Sequence, residues 1–145
     1  MKLVDANVLV YAVNSASEHH EASRRWLDRA LSGADIVGLA WVPLLAFARL
    51  TTKHGLFPSP LAPRDALAQI REWCAAPSAV LVQPSARHAD VLSDLVVQVG
   101  AGGNLINDAH LAALAIEHRG SVVTYDHDFG RFDGVRWDTP ESLLA

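Results

Sequence analysis

Residues 104–129 read Asn104-Leu-Ile-Asn-Asp108-Ala-His110-Leu-Ala-Ala-Leu-Ala-Ile-Glu117-His118-Arg-Gly120-Ser121-Val-Val-Thr124-Tyr-Asp126-His-Asp128-Phe129. The first part predicts a helix over 104–118, with Asn104 as its N-cap and Gly120 closing it. The β-branched run that follows predicts a strand over 122–125. The helix carries one anomaly. Asp108 has Leu111, Ala112 and Ala115 at i+3, i+4 and i+7, so an acid heads an otherwise small, apolar stripe. A solvent-facing helix would not normally place a carboxylate there. The strand ends in a pair of acids, Asp126 and Asp128.

The same alternation extends outward. Lys2-Leu-Val-Asp5 predicts a buried strand over 2–5, followed by a helix over 7–14. Ser17 is placed to cap a helix over 18–32, with Ala22, Trp26, Leu27, Ala30 and Leu31 on one side, Arg24, Arg25 and Arg29 on the other, and Gly33 as its stop. A strand is expected over 36–40. Pro43 suits the first turn of a helix over 43–53. Residues 55–63, with three prolines, form a rigid connection. A helix over 64–75 would turn Ala66, Leu67, Ile70, Trp73 and Cys74 inward. A strand over 79–82 leads to a helix over 86–99, capped by Ser85, with Ala89, Leu92, Leu95, Val96 and Val99 as its stripe. Gly100, Gly102 and Gly103 make a flexible loop, and Val135-Arg-Trp137 is a candidate last strand. Strands separated by helices throughout predict a three-layer α/β/α fold with a mostly parallel central sheet, as one domain over 1–145.

In such a sheet the carboxyl ends of the strands share one edge, where ligands bind. Asp5 ends the first strand, Asp126 and Asp128 follow the last long one, and Asp108 opens the helix between. Each has an ordinary alternative: an N-cap for Asp5, a first-turn acid favoured by the helix dipole for Asp108, a turn for Asp126 and Asp128. Brought together, they would repel one another and stay ionised only beside positive charge. A divalent cation with oxygen ligands, Mg²⁺ or Mn²⁺, supplies that most simply. Asp133 and Asp138 read as ordinary turn residues.

Composition narrows the alternatives. A net charge of −4 argues against a broad basic face for nucleic acid, but not against a nuclease whose acidic site meets phosphate through a metal. One cysteine, Cys74, allows neither an internal disulfide nor a cysteine metal cluster. The seven histidines read as surface or partly buried polar residues. There is no phosphate loop, dinucleotide fingerprint or nucleophile elbow. The N-terminus lacks a signal-peptide pattern and no apolar stretch is long enough to span a bilayer, so a soluble, cytoplasmic protein with no membrane partner is expected.

Three blocks resemble the PIN-domain ribonucleases: Asp5-Ala-Asn7-Val-Leu-Val-Tyr11, Asn104 to His118, and Val123-Thr-Tyr-Asp126-His-Asp128-Phe129. Within that group the chain is most similar to the VapC toxins of bacterial VapBC toxin–antitoxin pairs. The resemblance implies a PIN-like fold, Mg²⁺- or Mn²⁺-dependent endoribonuclease activity on RNA, a homodimer, and neutralisation by a small VapB-like antitoxin. It implies Asp5, Asp108 and Asp126 as metal ligands, with Asp128 as a further catalytic acid. Asn7 and Thr124 are expected to hold those ligands or their waters. One departure stands out. The family usually has a glutamate early in the helix after the second strand, and counting back from Arg49 puts Ala46 there; no acid lies between Asp35 and Asp65. Two readings therefore stay open: a metal-dependent endoribonuclease toxin, or a catalytically weak PIN-fold module that binds RNA or a partner. A phosphatase with a nucleophilic aspartate fits poorly, since Asn7 stands where its second acid belongs. The dimer is expected to form through helices 18–32 and 64–75, on the apolar surface of Trp26, Trp41, Phe47, Phe57 and Trp73.

Overall fold

A computed structural model of the chain describes residues 1–55, 57–100, 102–103 and 105–145. Among these residues five short strands form one parallel sheet: β1 (Lys2–Val4), β2 (Val37–Leu39), β3 (Ala79–Leu81), β4 (Ser121–Val123) and β5 (Trp137–Asp138), in the order β3-β2-β1-β4-β5. The chain leaves β1 for β2 and β3 on one side, then returns to place β4 on the other. The order therefore reverses between β1 and β4, the position where open parallel sheets leave a crevice. There the register pairs Leu3 with Val122 and Val4 with Val123.

Among the described residues seven α-helices cover the two faces: α1 (Ala6–Val13), α2 (His20–Arg29), α3 (Trp41–Thr52), α4 (Pro63–Cys74), α5 (His88–Val99), α6 (Leu105–Glu117) and α7 (Pro140–Leu144). Strand side chains alternate between faces, so Val4, Val37, Leu39 and Val123 join one core with Leu9, Trp26, Leu27, Phe47 and Trp73. Leu3 and Val122 join the other, with Leu95 and the run Leu111 to Ala115 of α6. This is the expected three-layer α/β/α arrangement. Among the described residues no helix is long and apolar enough to cross a membrane.

Several local expectations change. Ser17 and Ser85 cap turns just ahead of the helices: the Ser17 hydroxyl accepts from the His19 N–H, and the Ser85 hydroxyl from that of Arg87. The helices begin at His20 and His88. Pro43 is the third residue of α3. On α4 only Ala66, Ile70 and Trp73 are buried; Leu67 and Cys74 are exposed. On α5 the buried positions are Val91 and Leu95, and Ala89 is exposed. The last strand lies at Trp137–Asp138, not 135–137, and Asp138 sits 3.6 Å from Lys2 Nζ rather than in a turn. The capping role of Asn104 lies outside the described residues. Trp26, Phe47, Phe57 and Trp73 are buried, and only Trp41 of those five aromatics, at 43 % exposure, offers surface.

α6 ends in a Schellman motif. Gly120 N–H donates to Ala115 O and Arg119 N–H to Ile116 O, with Arg119, not the glycine, taking the left-handed conformation at φ 55°. Gly120 is needed for another reason: a Cβ there would come within 2.8 Å of the Met1 carbonyl oxygen. The α5–α6 contact is tied by a buried carboxylate. Glu117 accepts from Ser85 N–H, Ser85 Oγ and His88 Nδ1, and the far nitrogen of His88 meets His110 Nδ1 at 2.9 Å. These histidines, 22 residues apart, were not paired by spacing within one helix.

Candidate metal centre

Asp5 stands where β1 gives way to α1. Its N–H donates to Val123 O, which continues the β1–β4 pairing by one residue. With extended backbone angles it caps α1, Oδ1 accepting from Ala6 N–H at 2.7 Å. Its other oxygen accepts from Thr124 Oγ1 at 2.8 Å and from Asn7 Nδ2 at 3.3 Å. Asp5 is thus both a cap and part of a network that crosses the crevice.

Thr124 follows β4 and is fully buried. Besides donating to Asp5, its hydroxyl accepts from Asp126 N–H at 2.9 Å and from Asn7 Nδ2 at 3.2 Å. Asn7 also accepts, through Oδ1, from Tyr125 N–H. Asn7 and Thr124 therefore fix the backbone that presents Asp126 relative to Asp5. Asp126 in turn accepts from Asp128 N–H at 2.9 Å and caps the 3₁₀ turn His127–Arg131. Phe129 and Phe132 anchor that turn in the core at 0 % and 3 % exposure.

Asp108, in the first turn of α6, completes the group. One carboxylate oxygen each from Asp108, Asp126 and Asp128 lies within 4.8 Å of the others. Asp5 is not in that tightest trio, its oxygens being taken by Ala6, Thr124 and Asn7, but it shares two cavities with Asp108. One, of about 230 Å³, is lined also by Val42, Pro43, Ala46, Asn107 and Leu111. The other, of about 320 Å³, adds Asn7, Val10, Tyr11, Leu50 and Asp126. Ala46, where the resemblance expects a glutamate, lines the same cavity as Asp5 and Asp108. Tyr11, Val10, Leu50 and Asn107 were not singled out from the sequence; Tyr11 carries a readable signal, one helical turn beyond Asn7.

The electrostatics follow from this crowding. Burial raises the Asp5 carboxyl above its ordinary value, against the lowering hydrogen bonds from Thr124 and Ala6. Asp108 is pushed up to about 7, first by burial and then by the charges of Asp5, Asp126 and Asp128. Among the described residues no lysine or arginine forms a salt bridge with any of the four. Hard oxygen donors without a protein counter-charge match the preference of Mg²⁺ and Mn²⁺, so the residues present fit such an ion. A larger cavity, about 560 Å³, lies away from the acids between α2 and α4, with Leu27, Leu31 and Trp73 among Arg24, Asp28 and Glu72. It contains none of these carboxylates and has no part in the acidic centre.

Residues 2–135 match the family model of the PIN domain, and the chain belongs to that family. It is 68 % identical over 144 residues to Ribonuclease VapC37 of Mycobacterium tuberculosis, covering 99 % of this chain and 100 % of that one. It is 38 % identical to Ribonuclease VapC25 of the same species, covering 97 % and 99 %. Its fold is similar to a crystal structure of Mycobacterium tuberculosis VapC20, described as a sarcin–ricin loop cleaving toxin. The TM-score is 0.67 at 16 % identity, covering 94 % of this chain and 99 % of that chain. It is also similar to VapBC2 from Rickettsia felis bound to a promoter DNA fragment, with a TM-score of 0.69 at 17 % identity, covering 95 % and 97 %.

Proposed function

We propose that this chain, as one PIN domain over 1–145, is a metal-dependent endoribonuclease toxin that hydrolyses RNA phosphodiester bonds and is neutralised by a small VapB-like antitoxin. The observation that carries the reading is the meeting of Asp108, Asp126 and Asp128 within 4.8 Å, beside Asp5 at the sheet's switch point, with no protein cation paired to them among the described residues. The ribonuclease names of relatives that align over nearly their whole length support the same activity. Asp5, Asp108 and Asp126 are the proposed ligands of Mg²⁺ or Mn²⁺. Asp128, exposed at the mouth of the group, is placed to complete the ligand set or to accept a proton from the attacking water. When bound, the ion supplies positive charge that polarises the scissile phosphate and makes water acidic enough to attack. Asn7 and Thr124 hold Asp5 and Asp126 so that their carboxylates need not reorganise during the reaction.

The experiment is cleavage of total RNA by purified chain with Mg²⁺ or Mn²⁺, against the same mixture with excess chelator. Chelator-sensitive cleavage that disappears in Asp108→Asn supports the enzyme. RNA binding without cleavage would favour the weak binding module that Ala46 keeps in view.

Two assembly statements belong to the same reading. The antitoxin is assigned to the groove between α2 and α4, whose apolar floor of Leu27, Leu31 and Trp73 is rimmed by both signs of charge. Solved neighbours that are toxin–antitoxin complexes support such a partner. The homodimer is proposed through Trp41 and Leu45 of α3, at 43 % and 59 % exposure, in place of helices 18–32 and 64–75, whose Trp26 and Trp73 are buried. Sedimentation at tens of micromolar should show a dimer that Leu45→Glu dissociates; an unchanged dimer would exclude this face.

A further inference from the structure

The cavity of about 320 Å³ beside the acidic group has an unlike lining: the acids Asp5, Asp108 and Asp126, and the apolar or aromatic side chains of Val10, Tyr11 and Leu50. No lysine, arginine or histidine is among its lining residues. A strand entering here has its phosphate drawn to the acidic side only through a cation, and nothing basic in the cavity wall holds the neighbouring nucleotides. With no basic side chain in this lining, a contact here that holds the strand is one that does not depend on charge, such as stacking.

We propose that Tyr11 is a nucleobase-stacking subsite for the RNA strand next to the scissile phosphate, with His19 and Tyr125 as its support. The proposal rests on the ribonuclease reading above. Three aromatic rings from three separate parts of the chain meet at this point. Tyr11 and Tyr125 pack edge to face with centroids 5.4 Å apart, Tyr11 and His19 lie at 5.2 Å, and His19 stacks on Tyr125 at 4.1 Å. Only Tyr11 of the three also lines the cavity that holds the acids. It is half-buried, so part of the ring is open to a ligand while the rest is braced.

The brace is rigid. The Tyr125 hydroxyl donates to Glu141 at 3.0 Å and lies 3.2 Å from Ser23 Oγ. The Tyr125 backbone N–H is held by Asn7, the same side chain that bonds Asp5 and Thr124. His20 Nδ1 donates to the Tyr11 carbonyl at 2.8 Å, pinning the end of α1. The ring and the carboxylates are thus tied to one network, which fixes their spacing before any strand binds. A pre-set aromatic face suits a base, because every base offers a π-face and stacking needs no particular sequence. Val10 and Leu50 line the same cavity as Tyr11 and add apolar surface to it. Phosphate at the acids and a neighbouring base on Tyr11 give one continuous path for a single strand.

The test uses a short single-stranded RNA spanning a mapped cut made by the wild-type chain. Copies carry an abasic ribose at each nucleotide flanking the cut. Initial rates in Mg²⁺ separate kcat from KM. Tyr11→Leu should raise KM about tenfold on intact RNA, the size expected for one lost stacked base, with kcat within about threefold. Tyr11→Phe keeps the ring and should stay within about twofold. On RNA abasic at the stacked position, wild type and Tyr11→Leu should have the same KM. An unchanged KM for Tyr11→Leu, or a penalty that persists in full on every abasic RNA, overturns the subsite. If Tyr11→Leu does not fold, the abasic series with wild type decides: equal KM across all copies overturns it. Absence of any Mg²⁺- or Mn²⁺-dependent cleavage by wild type would instead sink the ribonuclease reading, and the subsite with it.

Discussion

Replacing Asp108 with asparagine isolates the electrostatic cost of the acidic group. The folded protein holds the Asp108 carboxyl at about 7, against 3.8 for the ordinary group. Between those values the folded state keeps a proton that the unfolded chain has lost. Stability from this group is therefore fully present below the ordinary value, falls as pH rises, and is lost above about 7. A difference of roughly three pKa units corresponds to about 4 kcal/mol without screening. Asp108 is only partly buried, so solvent reduces this to about 1–2 kcal/mol. For a domain of this size that is roughly 3–6 °C in Tm. Asparagine keeps the shape, removes the charge, and has an NH₂ that can face Asp126 as the protonated acid does. In chelator-treated protein, Asp108→Asn should melt higher than wild type by that amount near pH 8.5, with the gap closing towards pH 4.5. A residual slope should remain, because Asp5 is raised by its own burial. Added Mg²⁺ should raise the wild-type Tm near pH 8.5 and leave the variant nearly unchanged. The assay is a set of thermal melts across pH with and without metal. Parallel curves for the two proteins, with no metal effect on either, would refute the argument that Asp108 carries uncompensated charge.

Asp5→Asn should abolish chelator-sensitive RNA cleavage with the circular-dichroism spectrum intact; undiminished cleavage would remove Asp5 from the chemistry. Thr124→Val deletes a buried hydroxyl with three partners and should cost about 1–3 kcal/mol in urea melts, with cleavage reduced about tenfold or more; a variant as stable and active as wild type would show that the Asp5–Thr124–Asp126 network does not position the site. Ala46→Glu puts an acid into the cavity wall shared by Asp5 and Asp108. It should destabilise metal-free protein and tighten Mn²⁺ binding measured by calorimetry, whereas a folded variant with unchanged Mn²⁺ affinity would mean that position 46 is not the family's acid position.

Much of the fold was legible because the strands announce themselves by what bounds them. Lys2-Leu-Val before Asp5 and Ser121-Val-Val before Thr124 are short apolar runs closed by polar residues, and both are strands. Helix faces were less secure, because burial depends on how much of each helix the layer below can cover. Leu67 and Cys74 flank the true stripe Ala66, Ile70 and Trp73, and α4 buries only that narrow seam. On α5 the expected stripe holds for Leu95, buried, and for Leu92, Val96 and Val99, partly buried against the core, whereas Ala89 is exposed and Val91, outside that stripe, is buried. The short helix α7 was missed although Thr139 and Pro140 form a start signal, with Thr139 and Ser142 making a reciprocal capping box. Five residues are too few for periodicity to register.

The candidate site shows a different limit. Each aspartate had an ordinary local explanation, and the structure shows that the local and the collective roles coexist. Asp5 does cap α1, and Asp126 does cap a turn. Capping uses some of the oxygens; the strand order decides where the rest point. Because the sheet reverses between β1 and β4, the caps at the ends of these two strands face each other, and Asp108 meets them from α6. Local chemistry therefore makes an acid acceptable at each position, while topology makes the set costly: Asp108 is pushed up to about 7, first by burial and then by the charges of Asp5, Asp126 and Asp128. Asn7 and Thr124 were expected to hold the acids, but the bonds by which they do so, Thr124 to Asp5 and to Asn7, join residues far apart in sequence, beyond the reach of any local pattern. This network holds Asp5 and the backbone of Asp126, so the proposed divalent cation would find those groups already in place.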